Sequence, residues 1–295
     1  MSLNRRDFIQ GCSAAGALVT LPHIAFAAEA TSSPAETKRL KNAVKIGMVD
    51  VPGTLTEKFT ALKELGFDGV ELNSPGGPSA EEVQKAVKES GLPVHGVVDS
   101  IHWRIRLSDP NEKVRAEGLE GLITAIRDAK AYGGTSVLLV PGRVNGDATY
   151  EQCWQRSIEQ IKKATPVAKA EGIEILIENV WNDFLTDPKE LAKYIDECES
   201  EMVGSYFDVG NTVRYSPPHE WIPILGKRIK KLDIKDYGKG KEFGAELLEG
   251  DVDWAKVMAE LRKIDYQGWA TAEIAGGGRE RLTEIAKRMN QIAAQ

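Results

Sequence analysis

The sequence is poor in cysteine and histidine and has no long block of like charge. Three cysteines and four histidines occur in 295 residues, and the cysteines lack the spacing of a zinc site. A disulfide-stabilised scaffold and a thiolate zinc centre are therefore excluded. The net charge is -6, and without a basic run the chain has no electrostatic footprint for nucleic acid. A nucleic-acid partner is not expected.

The first 27 residues have the pattern of an export signal. Two adjacent arginines, Arg5 and Arg6, precede a weakly apolar run from Gly11 to Ala25, and the small residues around Ala27 suit a cleavage site. We therefore expect a Tat signal at residues 1–27 and a mature protein in the periplasm or otherwise exported. No later run is long and apolar enough to span a bilayer, so a stable membrane anchor is not expected.

Residues 28–43 are small and polar and are interpreted as a linker, which leaves residues 44–295 as a single catalytic domain. Two cysteines of that domain, Cys153 and Cys198, fall in predicted helices. The sequence leaves open whether they form a bridge or fill small spaces in the core.

After the linker, apolar strands alternate with amphipathic helices eight times. This count and the repeat of roughly 33 residues predict an α/β fold, a (β/α)8 barrel. An open doubly wound sheet is the competing fold, although no Gly-x-Gly-x-x-Gly follows the first strand. The predicted strands cover residues 44–49, 70–72, 94–98, 137–140, 173–177, 203–207, 229–234 and 269–274.

Acidic side chains stand at the carboxyl ends of the last four predicted strands, at Glu178, Asp208, Asp233 and Glu273. The carboxyl ends of barrel strands share one mouth, so these side chains are expected to converge there. Four carboxylates in one mouth cannot all stay ionised without a compensating cation. A site made of oxygen ligands suits Mn²⁺ or Mg²⁺ better than Zn²⁺. A carboxylate after a strand is also commonly a helix cap or an ion-pair partner.

Four segments carry a resemblance to a known family: residues 177–185 with ENVWN, 206–211 with FDVGN, 221–226 and 247–254. They resemble the sugar phosphate isomerase/epimerase family, nearest to the ketose 3-epimerases related to L-ribulose-phosphate 3-epimerase. The resemblance implies a xylose-isomerase-like TIM barrel that binds a divalent metal, Mn²⁺ first, with Mg²⁺ or Zn²⁺ as alternatives. It implies Glu178, Asp208, Asp233 and Glu273 as metal ligands, with Glu178 and Glu273 also the catalytic acid/base pair.

One position departs from the family pattern. Where relatives have histidine before a hydrophobic-Lys-Asp segment, this chain has Asp233 followed by Ile234, Lys235 and Asp236. Aspartate can bind Mn²⁺ or Mg²⁺, but it adds a negative charge to the site. It could instead pair with Lys235 or Lys231 as a surface ion pair, in which case the metal would be lost.

Other polar residues near strand ends are candidates for binding the substrate, whereas His95, within a strand, is expected to line the barrel. The glycines at 276–278, with Arg279, Lys239 and Lys241, could bind a phosphate. Export from the cytosol instead favours an unphosphorylated sugar or keto-sugar glycoside. The substrate-binding candidates are Glu71, Asn73, His102, Arg143, Trp181, Asn211 and Lys235.

The expected function is therefore that of an isomerase or epimerase of a ketose, keto-sugar or keto-glycoside. Such an enzyme moves a proton next to a carbonyl and stabilises the resulting enediolate with a metal. Two alternatives remain open: a keto-sugar or inosose dehydratase on the same barrel, and a non-catalytic sugar-binding protein without metal. The expected partner is a small-molecule sugar, and homo-oligomer formation is left open.

Overall fold

The computed structural model describes residues 39–295, in which strands and helices alternate from the first strand to the last helix. The strands are β1 (Leu40–Lys45), β2 (Gly69–Ser74), β3 (Val94–Asp99), β4 (Ser136–Leu139), β5 (Glu174–Glu178), β6 (Val203–Asp208), β7 (Ile229–Ile234) and β8 (Gly268–Ala272). The helices are α1 (Leu55–Glu64), α2 (Ala80–Ser90), α3 (Glu112–Ala131), α4 (Tyr150–Glu171), α5 (Pro188–Glu197), α6 (Val209–Thr212), α7 (Pro218–Leu225), α8 (Trp254–Lys263) and α9 (Arg279–Ala293).

The eight strands are parallel and form a closed barrel in chain order, with β8 pairing to β1. The predicted (β/α)8 barrel is confirmed, and the competing open sheet is wrong because β1 and β8 share a ladder of hydrogen bonds. Apolar residues from the strands and from the inner faces of the helices form the main core between the two layers. Carboxyl ends of all eight strands therefore point to one mouth.

The first strand begins and ends earlier than the sequence pattern indicated. β1 runs from Leu40 to Lys45, and residues 46–48 form a 3₁₀ turn, so the predicted strand 44–49 was wrong in its bounds. Asn42 made this segment look like linker, but its side chain is buried and donates to Asn290 Oδ1 of α9. The barrel therefore starts inside the segment predicted as linker.

The predicted export signal at residues 1–27 and the linker up to residue 38 lie outside the described residues. Within residues 39–295, Cys153 and Cys198 are buried free thiols, so no bridge joins them. Each lies in or directly after a helix, as predicted. In the same part of the chain, no helix has both the length and the apolar character needed to cross a membrane.

Local signals in the sequence begin several of the outer helices. Thr54 and Glu57 form a reciprocal capping box at α1, and Thr149 and Gln152 form one at α4. Asp187 caps α5 as predicted, accepting hydrogen bonds from two backbone amides ahead of it. These caps fix where each helix leaves the mouth of the barrel.

Candidate active site

Four carboxylates meet at the mouth of the barrel, one from each of the last four strands. We call Glu178, Asp208, Asp233 and Glu273 the acidic cluster. One oxygen of each lies within 4.8 Å of one oxygen of every other member. Asp208 and Asp233 have no exposed surface, and the Glu178 residue is 7% exposed. The convergence predicted from the strand ends is confirmed.

The pairing of neighbouring strands brings these side chains together. Asp208 of β6 stands opposite Asp233 of β7 in the sheet register, and both side chains face the inside of the barrel. A side-chain amide fixes the geometry between β5 and β6: the Asn179 side chain accepts from the Asp208 backbone N–H at 2.9 Å and donates to the Asp208 carbonyl at 2.8 Å. The backbone N–H of Asn211 in turn donates to Asp208 Oδ1 at 2.8 Å. The ENVWN and FDVGN segments therefore lock each other and aim Asp208.

Two lysines contact the acidic cluster directly. Lys45 Nζ, from the end of β1, lies 2.9 Å from Asp233 Oδ2 and 2.7 Å from Glu273 Oε1. Lys235 Nζ lies 2.9 Å from Asp208 Oδ2 and 2.5 Å from Glu273 Oε2. Both oxygens of Glu273 are thus paired with ammonium groups.

Asp233 is a buried residue of the lumen and not a surface ion-pair residue. Its ammonium partner is Lys45 of β1 and not Lys231 or Lys235, the two partners the sequence suggested. It has 0% exposed surface. The charge added by aspartate at this position is therefore met by a cation from the opposite end of the sequence.

The surroundings separate the two glutamates. Burial, with the nearby Glu273 charge, raises the pKa of Glu178 to about 8. Burial would also raise the pKa of Glu273, but the ammonium groups of Lys45 and Lys235 outweigh it and lower the pKa to about 2. Burial, only partly offset by Lys235, raises the pKa of Asp208 to about 6. One glutamate thus favours its protonated form near neutral pH while the other is a carboxylate.

The residues present fit a divalent cation. Four carboxyl groups converge against two ammonium groups, so the cluster offers more carboxylate oxygens than the two lysines pair. Asp233 Oδ1 is buried, and no hydrogen-bond donor of the described residues reaches it. An orphaned carboxylate oxygen facing three other carboxylates is a ligand position without a protein partner. Oxygen-only ligation of this kind suits Mn²⁺ or Mg²⁺.

A cavity of about 430 Å³ opens above the cluster and is large enough for a sugar. Glu178, Glu273 and Lys45 lie on its floor, so both candidate acid/base residues reach the same space. Asn73 and His102, two of the predicted substrate contacts, line its wall. His102 Nδ1 accepts from the Val140 N–H at 3.2 Å, and burial lowers the pKa of this histidine to about 3. It is therefore neutral and can donate through Nε2.

Other predicted substrate contacts lie outside the cavity wall. Glu71 is buried in the lumen, with Oε2 3.9 Å from Lys45 Nζ. The Asn211 side chain donates to the Asn179 carbonyl, which gives it a supporting role. Arg143 is exposed on the loop after β4. Lys235 reaches the cluster itself, as described above.

Trp181 belongs to an aromatic group beside the mouth. Its indole N–H donates to the Asn211 carbonyl at 2.7 Å, and its ring packs against Tyr237 and Phe243 at 5.1 and 4.5 Å. Arg214 lies over the other side of the indole at 4.9 Å. Trp181 thus holds the β5 loop against the β7 loop.

Two residues of the site, Lys45 and Asp99, were missed from the sequence. Asp99 directly follows the predicted strand 94–98, and the rule applied to strands two and five to eight would have found it. Lys45 ends β1, but it lies near the start of the predicted strand 44–49, so the same rule would have passed over it. Trp103 follows His102, lines the cavity and is 47% exposed. An exposed tryptophan at a cavity edge offers a flat face to a sugar ring.

The glycine run after β8 has a backbone role. Gly277 N–H donates to the Met48 carbonyl, and Asp50 N–H donates to the Gly277 carbonyl, both at 3.0 Å. A side chain at Gly276 would collide with the Met48 backbone, which explains glycine there. Arg279 pairs with Glu64 on the outer surface. The segment considered for phosphate binding therefore fastens the β8 loop to the β1 loop.

Asp236 organises the long loop that follows β7. Its carboxylate accepts from the backbone N–H groups of Tyr237, Leu248 and Val252 and from the Trp254 indole at 2.9 Å. The acidic residue two positions after Asp233, together with the residues around 247–254, is thus explained by loop structure. It does not add a fifth carboxylate to the cluster.

Comparison with known proteins identifies the family. The profile of the Xylose isomerase-like TIM barrel family matches residues 59–293. L-ribulose-5-phosphate 3-epimerase UlaE of Salmonella heidelberg (strain SL476) is 23% identical over 252 residues, which cover 81% of this chain and 89% of the relative.

Two solved structures have the same barrel. The apo form of 3-keto-D-glucoside 4-epimerase YcjR from E. coli superposes with a TM-score of 0.73 at 18% identity, covering 87% of this chain and all of that one. A D-tagatose 3-epimerase-like protein has a TM-score of 0.75 at 19% identity, covering 86% and 97% of the two chains. With the barrel closed in this strand order and the profile covering most of its length, the chain belongs to the xylose isomerase-like TIM barrel family.

Proposed function

We propose that the protein is a sugar isomerase or epimerase that moves a proton next to the carbonyl of a ketose, keto-sugar or keto-glycoside and depends on a divalent ion, with Mn²⁺ expected first. The observation that carries the proposal is the acidic cluster, four carboxyl groups that converge beside a sugar-sized cavity lined by Glu178 and Glu273. Relatives and structural neighbours named as sugar epimerases support the reaction class.

Glu178, Asp208, Asp233 and Glu273 would hold the ion. When bound, a divalent ion supplies electrostatic stabilisation for negative charge that develops on sugar oxygens next to the reacting carbon. The protein itself supplies rigid placement, since all four carboxylates come from barrel strands or the residue directly after one.

The two glutamates provide the proton transfers. Glu273 is held as a carboxylate by Lys45 and Lys235 and is suited to accept the proton from the sugar carbon. Burial favours the protonated form of Glu178. Glu178 is therefore suited to deliver a proton to the same carbon, on the face opposite the one from which Glu273 removes it. Both carboxyl groups border one cavity, so a single bound sugar can meet both. An acid and a base with separated pKa values in one cavity are what epimerisation requires.

An unphosphorylated substrate is favoured by the structure of the β8 loop. The Gly277 amide is already used by Met48, and the Arg279 guanidinium by Glu64. Trp103, exposed at the cavity edge, suits a sugar ring or glycoside better than a phosphate. Export through a signal at residues 1–27, still a prediction from the sequence, agrees with this choice.

The test is solvent deuterium exchange with purified, Mn²⁺-loaded protein in D₂O. We expect deuterium to enter a free ketose or an oxidised glycoside next to the carbonyl without loss of water. Glu178→Gln and Glu273→Gln should each abolish the exchange, because each amide keeps the volume and removes the basic group. Glu174→Gln, at the other end of β5 and paired with Lys230 at 3.8 Å, is the matched control and should exchange normally.

Two outcomes would overturn the proposal. Loss of water accompanying exchange would assign the protein to the dehydratase alternative. Tight sugar binding with no exchange in any Mn²⁺-loaded sample would favour the non-catalytic sugar-binding alternative.

A further inference from the structure

Lys45 is a charged group at the centre of the site that no sequence motif singled out. It ends β1, and its side chain is 15% exposed. Its ammonium lies within 3 Å of two members of the acidic cluster and lies 5.8 Å from the centre of the Tyr206 ring. Burial would lower its pKa, but the charges of Asp233 and Glu273 raise the pKa well above the ordinary range, so Lys45 is a permanent cation.

The position of this cation matches the position of the unusual aspartate. Lys45 contacts Oδ2 of Asp233 and leaves Oδ1 unpaired, facing the other carboxylates. It also contacts Oε1 of Glu273, so one ammonium joins two members of the cluster. Lys235 holds Asp208 and Glu273 in the same way on the other side. Without Lys45, Asp233 would lose its ammonium partner and Glu273 would keep only Lys235.

We propose that Lys45 is a positioning residue: its ammonium holds the Asp233 and Glu273 carboxylates in place in the metal-free protein and competes with the ion for them. This rests on the proposed function in taking the four carboxylates as ligands of one divalent ion. Lys45 and the ion are two cations bound by the same carboxylates. The ammonium therefore stabilises the metal-free cluster and weakens the binding of the ion.

The substitution Lys45→Met separates these effects because methionine keeps much of the apolar stem and removes the charge. We expect the metal-free variant, prepared with a chelator, to unfold several degrees below wild type, since mutual repulsion of the carboxylates increases. We expect Mn²⁺ to bind about tenfold more tightly, measured by titration calorimetry, and to raise the melting temperature more than in wild type.

The double variant Lys45→Met with Asp233→Asn removes one carboxylate together with the ammonium. Its metal-free melting temperature should return close to that of wild type, and its affinity for Mn²⁺ should fall back to the wild-type value or below. Lys41→Met is the matched control, because Lys41 lies on the same strand, is exposed and stacks over Trp269 at 5.3 Å. It should change neither the metal-free stability nor the Mn²⁺ affinity.

A structural role of the lysine stem alone predicts a different pattern. Lys45→Met would then lose the same stability with and without Mn²⁺, and the Asp233→Asn change would not restore it. That pattern, or an unchanged Mn²⁺ affinity in Lys45→Met, would overturn the assignment. If wild-type protein binds no Mn²⁺ at millimolar concentration, the proposed function fails, while the metal-free melting temperatures still decide whether Lys45 is the counter-ion of the cluster.

Discussion

Two polar layers lie one above the other inside the barrel, and they differ in whether the protein satisfies them. Strands β6, β7 and β8 each contribute to both layers through residues two positions apart. Asp208, Asp233 and Glu273 belong to the acidic cluster at the mouth. We call Tyr206, Lys231 and Thr271, together with His95 of β3, the lower lumen cluster; all four residues are buried.

The lower lumen cluster forms a closed set of hydrogen bonds. Lys231 Nζ donates to the His95 carbonyl at 2.6 Å and lies 3.1 Å from His95 Nδ1. With Nδ1 accepting, Nε2 carries the proton and bonds to Thr271 Oγ1 at 3.1 Å, and Thr271 contacts the Tyr206 hydroxyl at 2.7 Å. The His95 ring stacks on Trp269 at 4.7 Å. The expectation that His95 lines the barrel is confirmed.

Whether the buried polar groups have protein partners distinguishes structural residues from functional ones better than residue type does. Both layers are buried, polar and rich in titratable groups. The lower one is satisfied by protein partners, whereas the upper one keeps a buried Asp233 oxygen that no hydrogen-bond donor of the described residues reaches. Substitutions in the lower lumen cluster should therefore reduce folding stability. Substitutions in the acidic cluster should instead reduce activity or metal binding.

The largest effect is expected for a substitution in the acidic cluster. Glu178→Gln should lower the exchange rate by about 100- to 10,000-fold, because it removes a proton-transfer group. The metal-free melting temperature should stay about the same, since the buried Glu178 side chain already favours its neutral form near neutral pH. Deuterium exchange followed by NMR, with thermal unfolding of the same samples, gives both values. A large loss of stability would place Glu178 with the lower layer instead.

Next comes Lys231→Met in the lower layer. It should lower the free energy of unfolding by about 2–4 kcal/mol, because the His95 carbonyl loses a charged, buried donor. Lys230→Met, the exposed neighbour on β7, should change it by less than about 0.5 kcal/mol. Denaturant unfolding measures both. The Mn²⁺ affinity of the folded Lys231 variant should match that of wild type. A tenfold change in affinity would show that the two layers do not have distinct roles.

A smaller cost is expected for Thr271→Val, which keeps the shape and removes the hydroxyl between His95 and Tyr206. Two buried polar groups lose a partner, so unfolding should become easier by about 1–3 kcal/mol. Equal stability of the variant and wild type in urea titrations would show that water replaces this hydroxyl. Exchange activity should be retained.

The smallest effect concerns Asp99, a carboxyl in the cavity wall outside both layers. Burial raises its pKa from 3.8 to about 7, so between these values the folded protein holds a proton that the unfolded chain has lost. Stability therefore falls as pH rises through that window. Relative to Asp99→Asn, wild type should lose about 1 kcal/mol from pH 4 to 7, because cavity water reduces the full effect. Parallel pH-stability curves for the two proteins would refute the shift.

The sequence predicted the barrel well because its main signals are local. Strand β7 was predicted at 229–234 and is found at Ile229–Ile234, since apolar residues and a following loop mark both ends. β1 was misplaced because Asn42 and Lys41 hide its start among polar residues. Only the closing ladder with β8 shows that Leu40 is a strand residue.

The site was predicted in part. Strand ends located the acidic cluster, because barrel geometry sends all of them to one mouth. That these carboxylates bind an ion stays a prediction. The ion pair between Lys45 and Asp233 could not be read from the sequence, because the residues are 188 positions apart and a lysine stem can reach several partners. The hydrogen-bond partners that place His95 in the lower lumen cluster and His102 at the cavity likewise could not be predicted from the sequence.

The contact between Lys45 and Glu273 joins residues 228 positions apart. During synthesis Lys45 emerges early and cannot meet Glu273 until the final strand closes the ring. Pairing of such distant segments is a late event in folding. Assembly of the catalytic floor is therefore coupled to completion of the whole domain, and a truncated chain lacking β8 cannot form it.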